Sequence, residues 1–373
     1  MVRRCLLLFL LGLTVLHAGR AQDAPHLYPI VENGKLGFID ASGKEAIPPR
    51  FEGYECFRPL TQFSEGLAPV HIDAASERWG YIETTGKLVL TLPAHYSIRL
   101  DLNGAFHEGV ANVTITSPPT GGGLDRWAWI DRAGRLLYPS VNLSGTEFHE
   151  GLMRSRSLQL WGYVDDSFQW VIPPQFHTAE DFHEGIALVS SSNSSPDGWA
   201  YIDTSGKILF KDERKYRLSY PRSFSDGLAG LQVDLPDSHE YFEFVDPNGK
   251  EVIGPTLGMA RDFHEGYAFV LTGPESRLAL MDKRGQKVML NGFGPNTFNS
   301  QFHEGLAVGE KDSLYGYIDH SGNWVIPPQF DYAHDFSGGL AEVEWRQKRE
   351  WGYIDKRGQV VWKGVDQCHY PPF

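Results

Sequence analysis

Short apolar segments that alternate large and small side chains recur along most of the chain. The clearest copies are residues 161–165, 315–319 and 351–355, in which an aromatic residue, Gly, Tyr, a β-branched residue and Asp follow one another. Runs of four to six residues rich in Val, Ile, Tyr and Trp, bounded by Gly, Pro and Asp, are typical of β-strands. Nine copies of this phrase therefore predict a β-repeat architecture.

A second phrase, Phe-x-Glu-Gly or a near copy of it followed by an apolar residue, precedes eight of the nine copies. We divide each unit into strand A, which follows Phe-x-Glu-Gly, strand B, which is the aromatic phrase, and strand C, which follows a short turn. The pattern predicts an all-β chain of about nine three-stranded antiparallel units. Their approximate bounds are 27–50, 63–92, 106–139, 148–174, 182–211, 224–254, 263–290, 302–328 and 336–363.

The connection between strands B and C carries its own turn signal. Asp at the first position of a type I turn accepts backbone hydrogen bonds, and Gly at the fourth tolerates positive φ, as in Asp203 with Gly206. The fourth unit keeps Asp165 but has Phe168 in place of Gly, so we expect a different turn there. The second residue of strand B is small in most units, as in Gly316, which predicts close packing by another backbone or ring.

The pattern predicts the individual units more firmly than it predicts the overall shape of the array. Nine units exceed the usual four to eight blades of a β-propeller, so we favour an open, curved or superhelical array, with a closed propeller-like ring as the alternative. Cys56 and Cys368 lie near the two ends of the array, and a disulfide requires Cα atoms within about 7 Å. Their pairing would favour the ring, and the sequence leaves both possibilities open.

The two phrases resemble the bacterial WG repeat family, whose consensus reads approximately W-G-Y-I-D-x-x-G-K-x-V-I-P-P-x-F-x-x-A-x-x-F-x-E-G-L-A-x-V. Residues 161–189 match almost throughout, and residues 315–343 match with Gly338 in place of Glu. The resemblance extends over approximately residues 36–362 and is poorest in units 3, 5, 6 and 7. It implies a β-rich bacterial repeat protein. Because the family is defined by its repeat, the resemblance implies no catalytic residues.

The first residues differ from the rest of the chain. Arg3 and Arg4 precede an apolar run that ends at Leu16, and small residues follow before Gln22. This pattern predicts a secretory signal peptide over residues 1–21 and a mature chain of residues 22–373, located in the periplasm or outside the cell, with no membrane span after cleavage. The formal charge of −13 disfavours nucleic acid as a partner.

Five units carry His at the variable position of Phe-x-Glu-Gly: His107, His149, His183, His264 and His303. Stacked units could place these imidazoles in a row that binds a metal ion or responds to pH. Ser occupies the same position in three other units, which favours a variable, solvent-exposed site instead. The spacing matches no metal-binding signature, and we expect no cofactor.

The remaining candidates concern ligand binding. The sequence has no P-loop, no Gly-x-Ser-x-Gly elbow and no Cys-x-x-Cys pair. Trp345 and Trp362 lie outside the strand-B position and are candidates for stacking on sugars. Insertions between strands A and B, such as 117–123, form a variable edge. We predict a non-enzymatic, monomeric binding or scaffold module for a protein or envelope glycan, with a secreted glycan hydrolase that uses a carboxylate pair as the alternative.

Overall fold

The computed structural model describes residues 25–53, 61–73, 78–98, 104–115, 126–137, 147–192, 198–211, 217–234 and 239–365. The predicted signal peptide, Cys56, Cys368 and the insertion 117–123 lie outside these residues, so their predictions stay untested. Within the described part of the chain, no helix has the length and apolar character needed to cross a membrane.

The described residues form 33 β-strands and two 3₁₀ turns. The strands of units 1 to 5 are β1 Tyr28–Glu32, β2 Lys35–Ile39, β3 Glu45–Glu52, β4 Leu67–Asp73, β5 Arg78–Glu83, β6 Leu88–Thr91, β7 Tyr96–Ser97, β8 Phe106–His107, β9 Val110–Ile115, β10 Arg126–Asp131, β11 Leu136–Leu137, β12 Met153–Ser157, β13 Leu160–Val164, β14 Trp170–Phe176, β15 Thr178–Ala179, β16 Ile186–Ser190, β17 Trp199–Asp203 and β18 Ile208–Lys211.

The later units follow the same plan. Their strands are β19 Arg217–Ser225, β20 Leu228–Asp234, β21 Glu240–Val245, β22 Glu251–Ala260, β23 Tyr267–Thr272, β24 Arg277–Asp282, β25 Lys287–Met289, β26 Phe302–His303, β27 Leu306–Lys311, β28 Leu314–Ile318, β29 Trp324–Phe330, β30 Tyr332–Ala333, β31 Leu340–Trp345, β32 Glu350–Asp355 and β33 Val360–Val365. The 3₁₀ turns are Pro295–Asn299 and Arg346–Lys348.

Strands A, B and C of each unit form one antiparallel sheet, which confirms the predicted three-stranded unit. A short segment before strand A adds a fourth member in several units. In unit 5, for example, β15 pairs with the end of β16, and in unit 9 β30 pairs with the end of β31. We call this fourth member the inner segment. It is followed directly by the Phe-x-Glu-Gly turn, whose variable residue bridges back to the first residue of strand A, as His183 does to Ile186.

The hydrophobic core is divided among the boundaries between units. The described residues form nine clusters, and eight of them draw their members from two consecutive units. Between units 4 and 5, for instance, Tyr163 and Ile172 pack with Val189. Each sheet is therefore apolar on both faces and is covered by a neighbour on each side.

The ninth cluster joins the last unit to the first. Tyr28 and Ile30 of unit 1 pack with Trp351 and Tyr353 of unit 9. The preference for an open array is therefore wrong, and the closed propeller-like ring is the shape that these contacts define. Closure has a simple physical cause, because an open array would leave the apolar outer faces of units 1 and 9 in water.

A repeated hydrogen bond links each unit that has Tyr at the third position of strand B to the unit that follows it. The phenol donates to a backbone carbonyl of the next inner segment or first strand. The bonds are Tyr81 to Gly104 (2.7 Å), Tyr163 to Glu180 (2.6 Å), Tyr201 to Arg222 (2.8 Å), Tyr317 to His334 (2.7 Å) and Tyr353 to Pro29 (2.9 Å). The last of these crosses from unit 9 to unit 1, so ring closure uses the same bond as the other boundaries.

The small residue of strand B is explained by strand C of the same unit. A Cβ added to Gly316 would lie 2.4 Å from the carbonyl oxygen of Ile326, and one added to Gly162 would lie 2.4 Å from that of Ile172. The predicted close approach is thus confirmed, and the neighbour is backbone. A register shift between β28 and β29 at this point brings strand C close to the backbone of strand B.

The B–C turn of unit 4 has the same conformation as the other B–C turns, contrary to the prediction. Phe168 adopts φ 57°, and its N–H donates to the carbonyl of Asp165 at 2.8 Å, as the turn glycines do in other units. The predicted different turn is therefore wrong. The Phe168 ring is buried and packs near Trp129 and Phe148 at the boundary with unit 3. Burial of the ring offsets the cost of positive φ for a residue with a side chain.

Candidate functional site

The Phe-x-Glu-Gly turns and the B–C turns lie on one face of the ring. Strand A begins at the first turn, strand B runs antiparallel to it, and the B–C turn follows strand B, so both turns stand at the same end of each sheet. We call this the turn face. Because consecutive Phe-x-Glu-Gly turns contact one another from unit to unit, we place them around the ring axis, with strand C at the periphery.

The acidic residue of each Phe-x-Glu-Gly turn forms a link to the following unit, which we call the latch. It takes positive φ, as Glu184 does at 56°, and its carboxylate accepts the N–H of the next turn glycine. Seven latches occur among the described residues: Glu65 to Gly109 (3.1 Å), Glu108 to Gly151 (2.8 Å), Glu150 to Gly185 (2.7 Å), Glu184 to Gly227 (2.8 Å), Asp226 to Gly266, Glu265 to Gly305 (2.8 Å) and Glu304 to Gly339 (3.0 Å).

Four latches gain a basic side chain from the B–C turn of the next unit. The residue directly after the turn Asp supplies it. The pairs are Arg132 with Glu65 (2.7 Å), Lys283 with Asp226 (3.6 Å), His320 with Glu265 (3.5 Å) and Lys356 with Glu304 (3.1 Å). Hydrogen bonds from Gly109 and Arg132 hold the pKa of Glu65 below its usual value despite the opposing effect of burial. The Glu65 latch is therefore an ionised carboxylate that joins units 2 and 3.

We expect Glu184→Gln to lower the free energy of unfolding by about 0.5–1 kcal/mol, because a charge-assisted hydrogen bond to the Gly227 N–H becomes a neutral one. Urea unfolding followed by circular dichroism measures the change. Glu45→Gln is the matched control, since Glu45 is an exposed residue at the start of β3. Equal effects of the two substitutions would show that the latch contributes nothing.

The latch is replaced at the boundary between units 9 and 1. Gly338 stands where the other turns have the acidic residue, and a Cβ there would lie 2.5 Å from the His26 ring and 2.7 Å from the Tyr28 hydroxyl oxygen. The Tyr28 hydroxyl lies 2.9 Å from the carbonyl oxygen of Ser337 and 2.5 Å from that of Gly338. Loss of the Glu side chain in unit 9 therefore makes room for the tyrosine that closes the ring.

Tyr28 gives ring closure an alkaline pH dependence. Burial raises its pKa to about 12, mainly by desolvation, from an ordinary value of 10. A raised pKa means that the fold favours the neutral phenol, so this stability is fully present below pH 10 and is lost as the pH rises towards 12. Tyr28→Phe should flatten the fall in unfolding free energy between pH 9 and 11.5 relative to the native chain. Parallel pH profiles for the two proteins would contradict this assignment.

The five candidate histidines do not form one row. His149 and His183 lie with ring centroids 5.7 Å apart, and His264 and His303 lie 6.0 Å apart. His107 instead lines a cavity between units 3 and 4. The row is interrupted in unit 6 because Ser225 occupies the position. Among the described residues, no group of three or more His, Cys, Asp or Glu side chains is arranged to hold a metal ion.

Carboxylates accompany both histidine pairs on the turn face. His149 Nε2 lies 3.8 Å from Asp181, which also contacts Arg154 Nε at 3.0 Å. His303 Nε2 lies 3.5 Å from Asp335. Burial raises the pKa of Asp335 against the opposing effect of His303, and burial lowers the pKa of His264. The turn face thus alternates imidazole and carboxylate groups, which can bind polar or basic ligands.

The candidate tryptophans pack at unit boundaries. Trp345 lies 5.6 Å from the Phe330 ring, and Lys363 Nζ stands 4.3 Å from its centroid. Trp362 packs on Trp351 at 4.8 Å and points its indole N–H at Glu32 Oε1, 3.4 Å away. Both are partly buried in the clusters that join unit 9 to its neighbours. Packing of this kind accounts for both side chains without a bound sugar.

Comparison with known proteins finds a repeat family in parts of the chain and a similar fold among solved structures. Four segments, residues 37–73, 161–193, 244–273 and 315–344, match the family described as WG containing repeat. Each segment begins in strand B of unit 1, 4, 6 or 8 and extends through strand A of the following unit. The chain therefore carries WG repeats in a β-rich repeat fold. No curated protein matches the sequence.

Among solved structures, a eukaryotic initiation factor is similar over 91% of this chain and 96% of its own, with a TM-score of 0.54 and 11% identity. Hsv2 of Kluyvelomyces marxianus covers 81% of this chain and 95% of its own at 8% identity, with a TM-score of 0.37. The first similarity supports the β-repeat fold along nearly the whole chain. At this identity it supports the fold alone.

Proposed function

We propose that the protein is a non-enzymatic binding or scaffold module for a protein or an envelope glycan. The proposal rests on one observation: the polar side chains that recur from unit to unit form hydrogen bonds that hold the ring together. The strand-B tyrosines donate to the next unit, the turn aspartates accept backbone N–H groups, and the latch carboxylates join consecutive turns. The residues that vary from unit to unit are those left to recognise a ligand.

The architecture suits recognition at several points. A closed ring fixes nine units relative to one another, so a ligand on the turn face meets a preformed surface and little ordering entropy is lost on binding. The imidazole and carboxylate groups near the axis, with a formal charge of −13 for the chain, favour neutral or basic ligands over nucleic acid.

The proposed setting is the periplasm or the exterior of a bacterial cell. It rests on the predicted signal peptide over residues 1–21 and on the resemblance to a bacterial repeat family. We propose that the mature chain is a monomer that carries no cofactor. Sequencing of the N-terminus of the exported protein tests this setting, with Gln22 expected as the first residue.

A binding panel tests the function. The chain of residues 22–373 is immobilised and exposed to envelope proteins and neutral or acidic glycans, and products are analysed in parallel. We expect saturable binding without turnover. Asp181→Asn and Asp335→Asn should each weaken the binding of a turn-face ligand about two- to fivefold, since charge is shared among several units. Glycan cleavage that a single carboxylate substitution abolishes would instead establish the hydrolase.

A further inference from the structure

Two pairs of histidines bring titratable groups of consecutive units together on the turn face. The first pair is His149 and His183 of units 4 and 5, with ring centroids 5.7 Å apart, and the second is His264 and His303 of units 7 and 8, 6.0 Å apart. All four imidazoles are half-buried or exposed, so solvent protons reach them. Because histidine changes its charge between about pH 5 and 8, each pair can add two positive charges to its part of the face.

The fold does not require an imidazole at these positions. In units 2 and 6 the equivalent residue is serine, and its hydroxyl donates to a backbone carbonyl of the next unit. Ser64 donates to Phe106 at 2.6 Å, and Ser225 donates to Phe263 at 2.7 Å. In units 4 and 7 the imidazole lies instead beside the imidazole of the following unit. A side chain that departs from such a structural rule is expected to serve something other than the fold.

More carboxylates than permanent cations surround the first pair. Glu147 and Asp181 each lie 3.8 Å from His149 Nε2. Arg154 contacts Asp181 at 3.0 Å and Glu180 at 3.3 Å, so it offsets one negative charge only. The latch carboxylates beside this pair are Glu150 and Glu184. This area is therefore negative while both imidazoles are neutral, and it gains two positive charges when both are protonated.

The second pair lies against a carboxylate whose charged neighbours are imidazoles. Asp335 Oδ2 is 3.5 Å from His303 Nε2, and His334 and His264 also act on the Asp335 carboxylate. Burial raises the pKa of Asp335 against the effect of these imidazoles. As the pH falls, the loss of negative charge from Asp335 and the gain of positive charge by the histidines therefore act in the same direction.

Most other carboxylates near the second pair have a permanent cation beside them. The pairs are Asp226 with Lys283 (3.6 Å), Asp262 with Arg222 (3.3 Å) and Glu304 with Lys356 (3.1 Å). Glu265 is the exception, because its partner is His320 at 3.5 Å. The uncompensated negative charge of this area thus lies on Asp335 and Glu265, and both have imidazoles as their partners.

We propose that the two histidine pairs form a pH-sensitive switch that releases a basic segment of a protein partner from the turn face as the pH falls below about 6. At neutral pH the uncompensated carboxylates attract the ammonium groups of such a segment. After proton uptake the imidazolium groups cancel this negative charge and repel the segment. The inference adds regulation to the proposed binding function, and it rests on that function.

Tetralysine is the probe for the switch, and the latch glycines of the chain of residues 22–373 report its binding. In ¹H–¹⁵N NMR spectra at low salt and about pH 7.5, tetralysine should shift the amide resonances of Gly185 and Gly305, whose N–H groups lie beside the first and second pairs. At about pH 5.5 the affinity should be about tenfold lower. Equal affinity at the two pH values would overturn the inference.

Serine variants separate the pairs from other titrating groups, because serine is native at this position in units 2, 6 and 9. His149→Ser with His183→Ser should remove most of the pH dependence of tetralysine binding beside the first pair and leave that beside the second. His264→Ser with His303→Ser should do the reverse. If both double variants keep the pH dependence of the native chain, the imidazoles are not the switch.

The single variant His303→Ser tests the interaction within a pair. Burial and then the neighbouring His303 lower the pKa of His264, so the His264 titration followed by NMR should move to higher pH in this variant. His239→Ser is the matched control, since His239 is exposed and precedes strand β21 at the end of its sheet opposite the turn face. An unmoved His264 titration would show that the two imidazoles act independently and would count against a paired switch.

The outcomes also separate this inference from the broader function. Tetralysine that binds the turn face equally at both pH values would leave a binding site without a switch. If tetralysine shifts neither latch glycine at about pH 7.5, the inference falls, and the panel of envelope proteins and glycans still decides the broader function. Thermal unfolding confirms that each variant is folded, and the single variant provides the test if a double variant is not.

Discussion

A chain that ends at residue 331 and so lacks the ninth unit is expected to lose its cooperative native state. Removal of this unit uncovers Tyr317 and Phe330 of unit 8 on one side and Tyr28 and Ile30 of unit 1 on the other. Both apolar surfaces would face water at once, and eight units at the native angles cannot meet to cover them. We expect a broad or absent unfolding transition, binding of hydrophobic dyes and association between molecules.

An open array would behave differently. It would lose one end unit and keep the others. Its free energy of unfolding would fall by roughly the contributions of one unit and one interface. A circular permutant with all nine units, joined between residues 365 and 25 and opened in the 193–197 connection, is the matched control and should fold. A sharp transition near the native midpoint for the eight-unit chain would contradict the closed ring.

Replacement of Gly316 by Ala is expected to destabilise the protein by about 2–4 kcal/mol, since the new Cβ would lie 2.4 Å from the backbone carbonyl oxygen of Ile326. Strand C would have to move away, and with it Ile326 and Phe330, which fill the boundary with unit 9. Chemical unfolding with urea measures the loss. The m-value should stay near that of the native chain if only the folded state is strained.

Gly230→Ala is the matched control for this prediction. A Cβ at Gly230 would meet only side-chain atoms, the nearest being Phe244 Cε1 at 3.3 Å. Units with Ala at the position equivalent to Gly316 exist, as with Ala200 and Ala279, and their C strands are four and three residues long against seven in unit 8. If Gly316→Ala lowers the free energy of unfolding no more than Gly230→Ala does, strand C moves away from strand B at little cost and the prediction is wrong.

The units could be predicted from the sequence because their signals are local. Strand alternation, Asp-x-x-Gly turns and the small residue of strand B each act within one unit, and the structure contains all three. Ring closure could not be predicted, because it depends on the angle between successive sheets, which no single residue sets. The signal for it was indirect: Gly338 departs from Phe-x-Glu-Gly in the unit that meets Tyr28.

The candidate site was predicted less well. The role of the Glu in Phe-x-Glu-Gly could not be predicted, since its partner belongs to the next unit some 40 residues away, as Gly227 does for Glu184. The histidine row broke into pairs because the intervening unit has Ser225.

Ring closure is tested most directly by cross-linking the first unit to the last. Gly43 packs against Val361, and their neighbours Lys44 and Val360 are exposed. In a chain of residues 22–373 with both native cysteines replaced by Ser, Lys44→Cys with Val360→Cys should form an intramolecular link with a short bismaleimide, located by peptide mass spectrometry. Lys44→Cys with Lys211→Cys, which reaches the exposed edge of unit 5, should not. Only singly attached reagent on the first pair would contradict the closed ring.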